Sequence, residues 1–274
     1  MPPPAVSKLQ CAMQYQPQLD FLLRQARKAA DIMRLRFRGD FQVYIKPDGS
    51  KVTDVDLEIS KMWQADRAAE FPESGLYSEE SPDKTILPGK DYFVVDELDG
   101  TSYFADGQHG FSHQAAYFVP GEGLVIGVLA YPLDDILLYA VHGEGVYLEQ
   151  NGQTERIEPV RPKGKDELFF GHPARYKGEK YYDLLTALGI PPQRILQTNA
   201  MRTLQMARRE LDVNIFLMRK IDAWDWAGEK VIVEELGLNH SYLDGAPIHF
   251  GQPPREDNPG YLLCPKEYVE WLAR

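Results

Sequence analysis

The densest concentration of reactive side chains in this 274-residue sequence is Asp96-Glu97-Leu98-Asp99-Gly100-Thr101-Ser102. It follows the apolar run Tyr92-Phe93-Val94-Val95, so the acids stand where a buried strand ends and a tight turn begins, a common seat of chemistry. Asp96 and Asp99, three apart across a turn, can converge on one cation with the carbonyl of Leu98 between them, and hard oxygens of this sort suit Mg²⁺. Gly100 lets the backbone approach a phosphate closely, and its N–H with that of Thr101 can form an anion nest. Taken alone, the stretch reads equally well as a solvated Asp-Gly turn.

A framework must hold these groups. Residues from Pro17 to about Arg38 place Leu19, Leu22, Leu23, Ala26, Ala30 and Met33 at helical spacing on one face. A short strand, Phe41 to Ile45, meets the turn Pro47-Asp48-Gly49-Ser50, and Thr53-Asp54-Val55-Asp56 has the capping-box form that starts a second helix running to about Glu70. Strands are expected at Gly75 to Ser78, Asp91 to Val95, Ser112 to Val119, Leu124 to Tyr131, Ile136 to Val141 and Gly145 to Glu149, with a hairpin turn at Asn151-Gly152. This predicts a meander of antiparallel strands beneath two helices. Val160 to Lys165 reads as a hinge, dividing the chain into an α+β half, residues 1–160, and an α/β half, residues 161–274. The second half alternates strands at Leu168 to Gly171, near Arg194 to Gln197 and at Val213 to Met218 with helices near Glu179 to Leu188, Met201 to Glu210, Ala223 to Glu235 and Lys266 to Ala273.

Composition narrows the functional classes. Lys and Arg number 30 against 41 Asp and Glu, a formal charge of −11, which argues against a nucleic-acid polymer as partner. The 2 cysteines, Cys11 and Cys264, make neither a disulfide framework nor a Cys-type zinc site and read as free thiols in a reducing compartment. His109, His113, His142, His172, His240 and His249 lack metal-ligand spacing. The longest apolar stretch, Leu124 to Tyr131, is far short of the roughly 20 residues a membrane helix needs. Met1-Pro2-Pro3-Pro4-Ala5 has no signal-peptide character, so a cytoplasmic location with no membrane partner is the expectation.

Haloacid dehalogenase phosphatases also carry Asp-Gly-Thr, but their two aspartates are separated by a single residue, whereas two separate Asp96 from Asp99. The sequence instead resembles the inositol monophosphatase family, within the Mg²⁺-dependent, lithium-sensitive phosphatase superfamily that includes 3′(2′),5′-bisphosphate nucleotidases. Val95-Asp96-Glu97-Leu98-Asp99-Gly100-Thr101 is similar to its Asp-Pro-Leu/Ile-Asp-Gly-Thr/Ser signature, and Ser78-Glu79-Glu80-Ser81 to its Gly-Glu-Glu-Ser. Trp224-Asp225-Trp226-Ala227-Gly228 resembles Trp-Asp-x-Ala-Gly, and Val52-Thr53-Asp54-Val55-Asp56 resembles Val-Thr-x-x-Asp. Gly127-Val128 through Gly145-Val146-Tyr147 is similar to a strand pair of the family. The motifs fall in order between about residue 17 and residue 240.

The resemblance implies a layered α-β-α-β-α sandwich of the inositol monophosphatase and fructose-1,6-bisphosphatase type, and a homodimer. It implies that Glu79, Asp96, the Leu98 carbonyl, Asp99 and Asp225 hold two or three Mg²⁺ ions. Thr101 and Glu79 would position and deprotonate the attacking water, and Gly100, Thr101 and Ser102 would bind the phosphate. Asp56 would support Thr101 or a third, looser metal, or serve only as the acid of its capping box. Elementary electrostatics agrees: like charges near 4 Å repel by roughly 1 kcal/mol in water and about 4 kcal/mol at an effective dielectric of 20, so converging carboxylates demand cations or raised pKa values.

Departures from the family pattern cluster on the substrate side. Glu97 replaces the usual Pro and Ser78 the usual Gly, sparing the implied ligands. Met201 and Arg202 stand where the family carries a Gly-Ser pair; Arg202 could grip a second anionic group bidentately. Met218 stands where an acid would hold inositol hydroxyls. The expected activity is therefore Mg²⁺-dependent hydrolysis of a small soluble phosphate monoester: an inositol or sugar phosphate, or a 3′-phosphonucleotide. The alternative is a member acting mainly as a regulatory or interaction protein, its pocket narrowed by Met201 and Arg202.

Overall fold

The computed structural model describes residues 14–161, 163–164, 167–171, 198–216, 221–252, 255, 257 and 260–272. Helix α1 (Gln16–Arg36) buries Leu22, Ala26, Ala30 and Met33 of the expected stripe, together with Phe21 and Ala29, while Leu19 and Leu23 are only partly buried. Burial stabilises the fold by about 1.5–3 kcal/mol for each of Phe21, Leu22 and Met33. Strands β1 (Val43–Ile45) and β2 (Lys51–Thr53) form a hairpin that feeds helix α2 (Asp54–Glu70). Thr53 caps α2, and its partner in the capping box is Asp56, as the spacing predicts.

Helices α1 and α2 cover one face of a seven-stranded sheet, in spatial order β3 (Gly75–Ser78), β4 (Tyr92–Asp99), β5 (Ser112–Val119), β6 (Gly123–Tyr131), β7 (Ile136–Val141), β8 (Gly145–Gln150) and β9 (Gln153–Ile157). All neighbours are antiparallel except β3 and β4, which are parallel. Strand β4 is buried on both faces: Phe93 and Val95 join the core under α1 and α2, while Tyr92 and Val94 pack with Trp226, Tyr242 and Phe250. The Asn151-Gly152 hairpin turn is present, with both residues at positive φ, and β9 beyond it is largely exposed.

On the other face lie helices α4 (Asn199–Ala207) and α5 (Ala227–Glu235), packed between the first sheet and a second. The second sheet has the order β10 (Phe170–Gly171), β11 (Val213–Phe216), β13 (Tyr261–Pro265), β12 (Leu238–Tyr242). Tyr268 and the terminal helix α6 (Val269–Leu272) close its outer face over Phe170, Val213, Ile215 and Leu262. The layers are thus α-β-α-β-α.

Several boundaries differ from expectation. Strand β4 runs on to Asp99 instead of ending at Val95, because pairing with β5 continues through Asp96 opposite Gln114 and Asp99 opposite Ser112, with a register shift between. The helix expected from Ala223 is broken: a 3₁₀ turn (Ala223–Asp225) precedes α5, and Trp226 between them has φ −136°. The terminal helix opens as a 3₁₀ turn over Lys266–Tyr268. The helix expected near 179–188, the strand near 194–197, Met218, His172 and Cys11 lie outside the described residues. No described helix is long and apolar enough to cross a membrane.

Candidate active site

The end of β4 carries the first group of acids. Asp96 is buried on the strand, and the bulge between Asp96 and Asp99 turns Leu98 inward, where it is also buried. Gly100 then adopts a left-handed conformation, φ 84°, and a short helix α3 (Thr101–Ala105) begins. A Cβ at Gly100 would stand 2.5 Å from Thr198 Cγ2 and 2.9 Å from the Gly110 carbonyl oxygen, so both φ and space require glycine here.

The Thr101 hydroxyl has two acceptors, Leu98 O at 3.0 Å and Asp56 Oδ1 at 3.2 Å. Asp56 Oδ2 meanwhile accepts from Thr53 N at 2.8 Å and Thr53 Oγ1 at 2.5 Å. One Asp56 oxygen thus closes the capping box and the other reaches Thr101. Burial pushes the Asp56 carboxyl up to about 7 despite those hydrogen bonds, with Glu80 and Glu79 adding to the rise.

Glu79 leaves the end of β3, its N–H bonded to Val95 O at 3.1 Å. Lys46, just beyond β1, donates to Glu79 Oε1 at 2.8 Å and to Glu80 Oε1 at 2.7 Å. Burial works against the Lys46 charge, but the two carboxylates more than offset it and hold the ammonium above its ordinary range. Glu80 is drawn into the same group; its side chain is only 8% exposed. Lys84 donates to the carbonyl oxygens of Ser78 and Glu79 and lies over the Trp224 ring.

Asp225 closes the site from the other half of the chain. Its Oδ2 accepts from Asp222 N at 2.8 Å, and its carbonyl oxygen accepts from Gln114 Nε2 on β5 at 3.3 Å. It sits in the 3₁₀ turn rather than in the first turn of a helix. Gly228, next in its motif, explains how it arrives: a Cβ on Gly127 of β6 would stand 2.2 Å from Gly228 O, so helix α5 touches the sheet backbone directly.

The charges of these carboxylates act on one another. Asp96 is pushed well above the ordinary range by burial first and then by Glu79, Asp99 and Asp225. Asp225 is likewise raised by burial, Glu79 and Asp99. Asp99 rises to about 6 through burial, against the lowering effects of the Thr198 and Ser112 hydroxyls and the Arg202 charge. Among the described residues no three acidic, His or Cys side chains close into a tight cage. The groups nonetheless fit Mg²⁺: every donor is an oxygen, the charges need a cation, and Asp96 Oδ1 is buried with no hydrogen-bond partner.

Arg202 departs from its expected place. It is fully buried on α4, its guanidinium 4.9 Å from the centre of the Phe216 ring, and its charge acts on Asp99. With no surface open to solvent it does not meet an incoming anion in this conformation. Ser102 lies half-buried in α3, two residues after the Gly100 turn. Lys46, Lys84, Gln114, Thr198 and Ser112 are members of the site that the sequence reading missed. Ser112 and Gln114, opposite Asp99 and Asp96 on the adjacent strand, carried a signal once the pairing of β4 and β5 is drawn.

The sequence profile of the inositol monophosphatase family matches residues 14–270. The chain belongs to that family. Inositol monophosphatase 1 of Sus scrofa is 26% identical over 246 residues, covering 85% of this chain and 86% of that protein. The 3′(2′),5′-bisphosphate nucleotidase CysQ of Aggregatibacter actinomycetemcomitans is 23% identical, covering 92% and 94%. Nus factor SuhB of Pasteurella multocida is 29% identical, covering 83% and 88%. An IMPase structure from Thermotoga maritima matches with a TM-score of 0.76 at 21% identity, over 94% of this chain and 95% of that one, and so shares the fold. Membership puts the chain among phosphoric monoester hydrolases.

Proposed function

We propose that this protein hydrolyses a small soluble phosphate monoester with Mg²⁺ as its cofactor, by attack of water rather than of a side chain. The observation that carries the reading is the gathering of Asp96, Asp99 and Asp225, each pushed up by burial and by the charge of Glu79, around the glycine turn at Gly100. Carboxylates assembled at such cost, all offering oxygen donors, suit divalent cations. Glu79, Asp96, the Leu98 carbonyl, Asp99 and Asp225 would hold two or three Mg²⁺ ions. When bound, these supply Lewis acidity at the phosphate and lower the pKa of the attacking water.

The chain's own groups do the rest. The Thr101 hydroxyl donates toward Asp56 Oδ1 or Leu98 O, leaving its lone pairs to accept a hydrogen from water and orient it. A carboxyl near 7 at Asp56 can take the Thr101 proton as Thr101 takes one from water. Glu79 would share in deprotonating that water. The Gly100, Thr101 and Ser102 backbone would cradle the phosphate, with no enzyme nucleophile required. Arg202 serves by setting the charge state of Asp99 rather than by gripping substrate.

The relatives named for inositol monophosphate and for 3′(2′),5′-bisphosphate nucleotides span the substrate classes that fit. We read the protein as a cytoplasmic, lithium-sensitive homodimer. A second reading, a mainly regulatory or interaction protein, is favoured by the similarity to Nus factor SuhB. The test is phosphate release from inositol monophosphate, fructose 1,6-bisphosphate, 3′-phosphoadenosine 5′-phosphate and 3′-AMP, with Mg²⁺, with EDTA, with Li⁺, and in Asp99→Asn. Turnover that needs Mg²⁺ and vanishes in Asp99→Asn establishes the first reading; Mg²⁺ binding with no release from any ester moves the weight to the second.

A further inference from the structure

Glu79 stands at an edge of the first sheet: β3 is an edge strand, and Glu79 follows its last residue. Asp225 arrives from the opposite half, on the 3₁₀ turn before α5. Lys84 touches both. Its ammonium donates to Ser78 O and, at 2.6 Å, to Glu79 O, and it stands 4.2 Å from the centre of the Trp224 ring, one residue before Asp225. The Trp224 ring in turn packs 5.2 Å from that of Tyr77 on β3.

We propose that Lys84 is a positioning residue, a strap that fixes the backbone of Glu79 against Trp224 and so sets the separation of Glu79 and Asp225 for Mg²⁺. The inference rests on the metal-dependent reading above. Two carbonyl hydrogen bonds from a charged donor and a cation–π contact give it the strength to hold a loop that has no strand beyond it. Its charge alone would do the opposite. A cation beside Glu79, Glu80 and Glu97 repels an incoming metal, so deleting a mere neighbouring charge tightens Mg²⁺ binding, whereas deleting a strap weakens it. The sign of the change separates the two.

The experiment is calorimetric titration of Mg²⁺ alone into the full metal-free chain, with melting temperature followed in parallel. Lys84→Met keeps the stem and removes the ammonium; it is expected to weaken Mg²⁺ binding about tenfold, the scale of groups that orient metal ligands. Lys84→Arg keeps charge, donors and the ring contact and is expected to bind Mg²⁺ within about twofold of the parent. Trp224→Leu leaves the ammonium in place and is expected to weaken binding in the same direction. The double variant should be little worse than the weaker single one, since both remove one connection. Equal or tighter Mg²⁺ binding in Lys84→Met, or in Trp224→Leu should Lys84→Met fail to fold, overturns the strap. A parent chain that binds no Mg²⁺ overturns the metal-dependent reading and the strap with it.

Discussion

Asp56 divides its carboxylate between two tasks, Oδ2 accepting the Thr53 N–H at 2.8 Å to start helix α2 and Oδ1 accepting the Thr101 hydroxyl at 3.2 Å in the site. The anchor that folds the helix thus also fixes the group that would steer the water. Thr101→Val keeps the shape of the side chain and removes the hydroxyl, leaving the capping box intact. Phosphate release should fall by about 10²–10⁴-fold, the usual range for a lost acid–base contact, with the melting temperature nearly unchanged. Thr101→Ser should recover most of the activity. A valine variant within threefold of the parent would remove Thr101 from the mechanism.

Metal binding should depend on pH in a defined direction. Asp96, Asp99 and Asp225 all sit above their ordinary range, Asp99 at about 6, so below neutral pH part of the site is protonated. Mg²⁺ must displace those protons, and its apparent affinity should rise as pH increases from 6 to 8. Calorimetry in two buffers of different ionisation enthalpy would count the protons released, more at pH 6 than at pH 8. Affinity that stays flat over that range contradicts the raised carboxyls.

How much of this was legible in the sequence follows from how far apart in the chain the partners lie. Asp96, Asp99, Gly100 and Thr101 could be read because they are contiguous, and Asp225 because Trp224 and Gly228 flank it. Lys46 and Lys84 could not: their meaning comes from Glu79, Glu80 and Trp224, which meet them only after the hairpin and the 3₁₀ turn are placed. Arg202 was read as a hand toward substrate because it stands where the family carries a Gly-Ser pair. Tertiary packing put it under Phe216 instead. The extension of β4 through Asp96 to Asp99 also escaped, since acids are poor strand formers and only pairing with β5 overrides that tendency.

The contact between α5 and the sheet is a second point of leverage. Gly127→Ala would bring a Cβ within 2.2 Å of Gly228 O and 3.0 Å of Val231 Cβ, both on an element that cannot give way locally. Lifting α5 off β6 should cost about 1–3 kcal/mol, as overpacking does, and carry Asp225 with it. A lowered melting temperature together with weaker Mg²⁺ binding is expected. A variant with lower stability but parental Mg²⁺ affinity would show that Asp225 is held independently of the helix.

His113 supplies a stability test that needs neither metal nor substrate. It is fully buried on β5 beside Trp63, its Nδ1 3.1 Å from Glu97 O and its Nε2 without a partner. Burial depresses it to about 4, outweighing its backbone hydrogen bonds, so between about 4 and 6.5 the unfolded chain holds a proton that the folded chain refuses. Its contribution is complete above 6.5 and lost as pH falls through about 4. At about 1.36 kcal/mol per pH unit it amounts to about 3 kcal/mol. Asp56 and Glu97, raised by burial to about 7, act with opposite sign: their stabilisation is present at acid pH and fades as pH rises toward neutrality. The parent curve therefore mixes both, and the difference between parent and His113→Phe isolates the histidine. In urea unfolding from pH 7.5 to 4.5, the phenylalanine variant should gain on the parent steadily below pH 6.5. Parallel curves would mean that the buried imidazole takes up its proton without opening the fold.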